Sequence, residues 1–301
     1  MPQGTLLVVD GHSFAYRAFF AIQRLSNSKG EATNAVFGFA KMVRKLLQEH
    51  KPSHGAIVMD LGEPVKRMEK LGTYKAQRKP MPDDLCSQIP WIHEFAKVSR
   101  VPLIERDGVE ADDIIATLAV QAKQEEIKAL IATSDKDFMQ IVDGSIVLLN
   151  PAVKDGGVID AAAVRARYGV APAQIVDFLS LQGDSVDNIP GVPGVGEKTA
   201  ASILNQFGPL DRLLEEPDRL ADARLRQKLL DHRAQIELNR ELVRLDTAVP
   251  LDVTLKQLAL SGPDYPALIA WCARLEFRSL GEEIRRESQQ ASNPEFSLGF
   301  E

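Results

Sequence analysis

Residues 183–200 read GDSVDNIPGVPGVGEKTA. Asp184 and Asp187 stand three residues apart there, and a turn follows with Gly191, Gly194 and Gly196 interleaved with Pro190 and Pro193. Paired carboxylates suit a hard metal ion. A glycine-rich turn that opens a helix at Glu197 and Lys198 presents backbone N–H groups to a phosphate. Side by side, the two features point to chemistry on a phosphate backbone next to a metal. More acids sit where such a site needs them. Asp10, Asp60, Asp135 and Asp137 close or follow short apolar runs, and Glu110, Asp112 and Asp113 cluster at the start of an amphipathic stretch. Oxygen donors alone, with no His or Cys among them, favour Mg²⁺ or Mn²⁺ over zinc. So many carboxylates repel one another unless cations neutralise them. A pair of divalent ions could activate water and stabilise the leaving oxygen of a phosphodiester. Taken singly, an aspartate after a strand is a turn or cap residue, and acids in a helix's first turn complement its dipole. Recurrence at successive strand ends is what points to a shared site.

The elements that must position these acids read as strands alternating with helices. Residues 6–10, 55–59 and 129–133 are short apolar runs of the kind found in buried parallel strands. Residues 101–105 form a short extended piece and 146–149 a further strand. Helices are predicted over 13–25, 33–50, 84–98 and 109–123, the second with Val36, Phe39, Ala40, Val43, Leu46 and Leu47 on one face. The alternation predicts a parallel α/β sheet, whose ligands bind outside the C-terminal strand ends. Asp10, Asp60, Asp135 and Asp137 should therefore meet at one edge. Glu110 and Asp113 share a helix face. Residues 63–84 carry Lys66, Arg67, Lys70, Lys75, Arg78 and Lys79 with little apolar periodicity. That segment reads as exposed or mobile rather than core. Beyond about residue 151 the pattern is helical, with one helix from Pro172 through Leu181 and another over 197–207 closed by Gly208. Asp184 and Asp187 join the other acids if this region folds against the same edge. Short helices continue to about Arg286, and 287–301 is polar and patternless, which predicts disorder.

Bulk properties narrow the class. A chain of 301 residues, 45% hydrophobic and 26% charged, has the composition of a soluble globular protein of one large domain or two modest ones. Cys86 and Cys272 offer neither a disulfide framework nor zinc spacing, so a reducing cytoplasm is the default. The apolar run 6–9 stops at Asp10, too short for a signal peptide or a membrane span. The formal net charge of −6 becomes +3 when the nine candidate ligand carboxylates are set aside. That balance is compatible with a polyanion partner if the basic residues lie together. The glycine turn is not a nucleotide P-loop. Gly191 and Gly196 have the spacing, but Glu197 intrudes before Lys198 and Thr199, and a helical segment precedes it instead of a strand. It reads as a helix–hairpin–helix, whose phosphate contacts are sequence-independent and salt-sensitive.

Five stretches occur in a telling order: VDGHSFAYRAFF (9–20), YKAQRKPMPDDL (74–85), GVEADDIIATLA (108–119), TSDKDFMQIV (133–142) and GDSVDNIPGVPGVGEKTA (183–200). Over roughly residues 6–280 the chain resembles the 5′-nuclease superfamily, specifically the 5′–3′ exonuclease domain of bacterial DNA polymerase I and its flap-endonuclease relatives. The resemblance implies a PIN-like α/β nuclease core over 1–170, with a mostly parallel central sheet and a helical arch at about 63–85. It implies a helical region over 171–286 containing the helix–hairpin–helix, before the tail 287–301. It implies two divalent-ion sites for Mg²⁺ or Mn²⁺. Asp10, Asp60, Glu110, Asp112 and Asp113 match the first, and Asp135, Asp137, Asp184 and Asp187 the second. Members also bind a monovalent cation, usually K⁺, through hairpin carbonyls, here those of Pro190, Val192 and Val195. Tyr74, Lys75 and Arg78 fall on the arch, with Lys75 and Arg78 steadying the scissile phosphate. Arg17, Gly191, Gly194, Gly196 and Lys198 complete the implied DNA-binding set. One position departs from the family pattern: Lys66, not an aromatic, precedes Arg67.

The expected activity is structure-specific 5′-nuclease cleavage in replication and repair. The expected substrates are DNA with a 5′ flap, nick or single-stranded 5′ end, and RNA primers in hybrid form. The expected protein is a monomer of the bacterial cytoplasm, active at the nucleoid, either free-standing or the N-terminal part of something longer. Two rivals are a non-catalytic structure-specific DNA-binding protein and a PIN ribonuclease. The intact acidic clusters oppose the first; the hairpin and long arch are surplus to the second.

Overall fold

The computed structural model describes residues 4–151 and 157–292. In chain order its elements are β1 (Thr5–Asp10), α1 (Gly11–Ala21), α2 (Asn34–His50), β2 (His54–Leu61), α3 (Val65–Lys70), α4 (Asp83–Cys86), α5 (Ile89–Val98), β3 (Leu103–Asp107), α6 (Ala111–Gln124), β4 (Lys128–Ala132), β5 (Ile146–Leu149), β6 (Val158–Ile159), α7 (Ala161–Tyr168), α8 (Ile175–Gln182), β7 (Gly183–Asp184), β8 (Ile189–Pro190), α9 (Glu197–Phe207), α10 (Leu210–Glu215), α11 (Ala223–Asp231), α12 (Arg233–Val243), α13 (Tyr265–Arg274) and α14 (Arg278–Ala291). The chain divides into two units: Met1–Met59 with Met81–Glu105 and Asp252–Glu301, and Asp60–Pro80 with Arg106–Leu251.

In the first unit the strand order is β3-β2-β1. β1 and β2 run parallel, from Leu6 opposite His54 to Asp10 opposite Val58. Leu6, Leu7, Val8 and Val9 are all buried, as are Ala56, Ile57, Val58 and Met59. Burial of consecutive residues on both faces is what makes these strands unbroken apolar runs in sequence. A chain of ring contacts, Phe14 to Phe39 to Phe95 to Trp271 to Phe277, ties α1, α2, α5 and α13 into one core. Two expectations fail in this unit. The helix predicted over 84–98 is broken into α4 and α5. The break lies at Ser87 and Gln88, just before Pro90, which has no N–H to give and sits in the first turn of α5. Gln88, fully buried, accepts from the Val36 amide (3.1 Å) and donates to Asn34 Oδ1 (3.1 Å) and the Asp84 carbonyl (2.7 Å). The disorder expected from residue 287 is also wrong as far as Ala291, because α14 continues that far. Glu287 accepts from buried Arg44 (2.7 and 2.8 Å) and from Gln48 (2.7 Å). The remainder of that tail, 293–301, lies outside the described residues.

In the second unit the strand order is β4-β5-β6. β4 and β5 are parallel, from Ala129 opposite Ile146 to Ala132 opposite Leu149, and β6 is antiparallel to β5. The fold is thus mixed α/β with a mostly parallel sheet. The helical region centres on α8, which packs against both α9 and α12, while α12 also packs on α3. β7 and β8 form a tight antiparallel pair, Gly183 opposite Pro190 and Asp184 opposite Ile189. The sequence reading of 63–84 as exposed or mobile rather than core needs correction in part. α3 lies within it, and Arg67 and Tyr74 are buried. Among the described residues, no helix is long and apolar enough to cross a membrane.

Candidate metal centre and nucleic-acid interface

Asp137, Asp184 and Asp187 are all buried and present carboxylate oxygens that lie within 4.8 Å of one another. Each arrives by a different local device. β4 ends at Ala132, and Asp137 opens a 3₁₀ turn, Asp137–Ile141, just beyond it. Asp135 sets that turn: its own amide donates to Thr133 Oγ1 (3.0 Å), and its Oδ1 accepts the Asp137 amide (2.9 Å). Asp184 lies in β7, and its Oδ1 accepts the Val186 amide (2.9 Å), which winds the chain back so that Asp187 faces it. The tight turn depends on glycine at Gly191. A Cβ there would stand 2.1 Å from the Gln182 carbonyl oxygen, so only a residue without a side chain lets these two backbones approach.

The chemistry of this donor set fits a divalent cation. Burial, then the charges of Asp135, Asp187 and Asp184, push the Asp137 carboxyl well above the usual carboxylate range. Burial likewise raises Asp135. Asp137 Oδ1 is buried and accepts no hydrogen bond among the described residues. A buried acceptor left bare beside like charges is what a hard cation corrects. Lys136, between the two aspartates in sequence, supplies part of the counter-charge at Asp184 Oδ1 (2.9 Å).

The other acids of this unit gather at the N-terminus of α6. Glu110 is the residue before its first turn, and Asp112 and Asp113 lie within that turn. Asp60 Oδ1 accepts the Ala111 amide (2.7 Å), one of the N–H groups that a helix start leaves unpaired. Tyr74 links the two acidic groups. Its hydroxyl donates to Asp187 Oδ2 (3.2 Å) and reaches Glu110 Oε1 (3.3 Å). Burial, then the charges of Glu110 and Asp187, push the Tyr74 phenol far above its ordinary range, so it acts as a neutral donor. Lys75 Nζ contacts Glu110, and Arg78 Nη2 contacts Asp187 Oδ1 (2.7 Å). Eight of the nine predicted acids therefore belong to this unit. Asp10 belongs to the other, where it ends β1 and caps α1 by accepting the Ser13 amide (3.1 Å). Arg17 stands two turns along α1 from Asp10 on the same face.

The hairpin lies next to the second acidic group. A cavity of about 650 Å³ is lined by Gln77, Lys136, Asp184, Asn188, Gly191 and Gly196, among others. Gly194 has φ +79, the left-handed region that favours glycine, and a Cβ there would meet Lys228 Nζ at 2.8 Å. Around Gly196 there is open space on the side where a Cβ would stand. Lys198 is exposed in the first turn of α9. The Pro190 carbonyl accepts from Asn239 Nδ2 (2.8 Å), and the Val192 carbonyl accepts the Val195 amide (2.9 Å). Each carbonyl oxygen retains a second lone pair.

Three contributors escaped the sequence reading. Lys136 was signalled only by standing between Asp135 and Asp137. Arg67 was noticed as an arginine but given no role, although its guanidinium takes both Glu110 and Asp113. Asn239, fully buried, donates to the Ser180 (2.9 Å) and Pro190 carbonyls, and no motif marks it.

Comparison with known proteins agrees with this geometry. The family described as 5′-3′ exonuclease, N-terminal resolvase-like domain, matches residues 5–169, and 5′-3′ exonuclease, C-terminal SAM fold, matches residues 170–266. The chain is 38% identical over 288 residues to the 5′-3′ exonuclease of Aquifex aeolicus (strain VF5), a match covering 96% of this chain and 98% of that protein. It is 37% identical over 297 residues to DNA polymerase I of Bacillus caldotenax, covering 98% of this chain and 34% of the polymerase. The chain thus spans about a third of the length of that relative. Among solved structures, the bacteriophage T5 flap endonuclease in a pseudo-enzyme–product complex with DNA and metal ions shares the fold. The TM-score is 0.67 at 20% identity, over 94% of this chain and 98% of that one. The chain belongs to the 5′-3′ exonuclease family.

Proposed function

We propose that this chain is a structure-specific 5′ nuclease that hydrolyses DNA phosphodiesters near a 5′ end, using two divalent ions, Mg²⁺ or Mn²⁺. The observation that carries the reading is the buried group of Asp137, Asp184 and Asp187, with a bare acceptor on Asp137, beside Tyr74, Lys75 and Arg78. Asp135, Asp137, Asp184 and Asp187 would hold one ion. Asp60, Glu110 and Asp112 would serve the other, with Asp10 added on the strength of the resemblance alone. Bound there, the ions supply an activated water and offset charge that builds on the phosphate.

The chain's own groups do the positioning. Lys75 and Arg78 already touch Glu110 and Asp187, so a phosphate brought to those acids lies within their reach. Their charges favour the extra negative charge of the transition state over the ground state. Tyr74 donates from between the two acidic groups and keeps both in register. Gly191, Gly194 and Gly196 let the backbone approach a duplex phosphate, and Lys198 and Arg17 add charge to the grip. K⁺ at the carbonyls of Pro190, Val192 and Val195 would stiffen that hairpin. Flaps, nicks and single-stranded 5′ ends of DNA are the substrates, with RNA–DNA hybrid primers a further one. The working form is a monomer in the bacterial cytoplasm, active at the nucleoid.

A labelled 5′ flap tests the reading. With Mg²⁺ the wild type releases the flap, and EDTA stops it. Asp184→Asn lowers the rate about 100-fold or more while still binding the flap. Wild-type turnover by that variant, or by protein in EDTA, would overturn the assignment and leave a DNA-binding protein on a nuclease fold.

A further inference from the structure

Asp113 is held in a way that Glu110 and Asp187 are not. Those two receive single contacts from separate arch side chains, whereas Asp113 takes a two-point fork from one guanidinium together with a backbone amide. Asp113 Oδ2 accepts from Arg67 Nη1 (2.7 Å), and Oδ1 accepts from Arg67 Nη2 (2.8 Å) and from the Asp246 amide (2.9 Å). This is a two-point fork between planar groups, the geometry in which an arginine and a carboxylate bind most firmly. Arg67 is equally complete. Its Nε donates to the Leu242 carbonyl (2.8 Å), Nη1 also donates to Glu110, and Nη2 also donates to the Arg244 carbonyl (3.0 Å). All five guanidinium N–H groups therefore have an acceptor. Both residues are buried, Arg67 8% and Asp113 7% exposed. One turn further along α6, Thr117 Oγ1 donates to the Asp246 carbonyl (3.1 Å) and accepts the Val249 amide (3.2 Å). The joint thus holds three pieces of chain together: α3 at the base of the arch, the helix that carries Glu110 and Asp112, and the segment that leaves α12. Asp137 is the contrast. It has a buried oxygen with no donor and two carboxylates close by, which is a demand for a cation. Asp113 makes no such demand, because a guanidinium and a backbone amide already satisfy it.

We infer that Asp113 is a positioning residue and not a metal ligand: it locks Arg67, and with it the base of the arch, onto the helix that presents Glu110 and Asp112. The inference rests on the metal-nuclease reading only for the roles of Glu110 and Asp112; the joint stands on its own geometry. It explains why a buried arginine stands between the exposed Lys66 and Lys70 of α3. It also separates two aspartates adjacent in sequence, Asp112 and Asp113, into different tasks.

The test is calorimetric titration of Mn²⁺ into metal-free wild type, Asp112→Asn and Asp113→Asn, with melting temperatures and flap-cleavage rates alongside. Asp113→Asn should bind as many ions as wild type, with each Kd within about threefold, a change too small for the loss of a charged ligand. It should melt about 5–10 °C lower without metal, because a buried arginine loses its charged partner. Well below that melting temperature its kcat should fall about tenfold or more through misplacement of the arch. Asp112→Asn should show the reverse: one ion lost or bound much more weakly, with little change in metal-free melting. Loss of an ion in Asp113→Asn with unchanged melting would overturn the inference. Should Asp113→Asn fail to fold, Arg67→Lys replaces it. A lysine keeps the charge but cannot fork, so lower melting and lower kcat with an intact ion count support the joint, and unchanged melting and kcat refute it. If wild type itself binds no Mn²⁺, the metal reading fails, and the melting contrast between Asp112→Asn and Asp113→Asn still decides whether the joint exists.

Discussion

Removing the charge of Asp137 should make the metal-free protein more stable and the metal-loaded protein less so. Asp137, Asp184 and Asp187 hold carboxylate oxygens within 4.8 Å of one another in a buried setting. At an effective dielectric of about 20, each ionised pair at 4.8 Å repels by about 3.5 kcal/mol, and Asp137 takes part in two such pairs. Proton uptake limits the penalty, as do the pairing of Asp184 with Lys136 and of Asp187 with Arg78. We therefore expect Asp137→Asn to raise metal-free stability by about 1–3 kcal/mol at neutral pH, or about 2–10 °C in melting temperature. The sign with pH follows from the raised carboxyl of Asp137. Between the ordinary carboxylate range and that raised value, the folded protein holds the proton and the unfolded chain does not. The folded state binds more protons there, so wild-type stability falls as pH rises through the window. The advantage of Asp137→Asn should be absent at the acid end and fully present above the raised value. Saturating Mg²⁺ inverts the ranking. An ion at 100 times its Kd adds about 2.7 kcal/mol to a protein that binds it only when folded, and Asp137→Asn should lose most of that gain. Melting curves in EDTA and in Mg²⁺, from about pH 4 to about pH 8, measure both effects. If Asp137→Asn melts below wild type in EDTA at neutral pH, or keeps the full Mg²⁺-induced rise, the crowded-acid reasoning is wrong.

Two further expectations probe the hairpin and the core. Gly191→Ala should cost about 2–3 kcal/mol by overpacking, since its Cβ would stand 2.1 Å from the Gln182 carbonyl. Gly196→Ala should change stability by less than about 0.5 kcal/mol, because nothing lies within 4 Å of its Cβ. It should still weaken duplex binding and flatten its salt dependence, and anisotropy titrations over a range of NaCl give both. Cys272 is buried and its thiol is pushed up to about 11, chiefly by burial, whereas Cys86 is exposed. A maleimide should label one thiol in the native protein and two in denaturant; fast labelling of both in native buffer would contradict the packing of α13.

What the sequence revealed and what it hid have the same physical origin. Buried parallel strands must be apolar on both faces, so the runs before Asp10, Asp60 and Asp135 stand out. Acids at their ends stand out because little else in such runs is charged. The arch segment misled because composition reports the average exposure of a stretch. Arg67 and Tyr74 are buried by partners far off in the chain, Glu110, Asp113 and Asp187, and no local period encodes those. The break between α4 and α5 did have a local signal in Pro90. Its other cause, Gln88 reaching Val36 and Asn34, did not. The end of α14 was hidden in the same way, since Glu287 looks like one more surface charge until Arg44 is placed beside it. The hairpin glycines were legible as a set but not individually. Close approach requires Gly191 and backbone conformation favours glycine at Gly194, while the space around Gly196 would admit a side chain.

Within the unit that holds the arch, several of the bonds linking arch, acids and hairpin run to backbone groups. The Lys75 amide donates to the Asp187 carbonyl (3.0 Å), and Asn188 Nδ2 donates to the Thr73 carbonyl (2.7 Å). Gln77 Nε2 closes the circuit at Asn188 Oδ1 (2.8 Å). α12 braces the opposite side, with Asn239 holding Ser180 and Pro190, and the Leu242 and Arg244 carbonyls held by Arg67. Bonds to backbone fix the path of the chain, and breaking one leaves a carbonyl or amide unpaired at a cost of about 1–3 kcal/mol where it is buried. Only two residues separate Asp187 from Pro190, and both are held this way. On the proposed reading, a phosphate gripped by the hairpin and one placed at the acids are tied to a single short, braced segment. The spacing between grip and cut is set by that segment, so mutations at Asn188 or Asn239 should shift the cleavage position along the strand before they abolish cleavage.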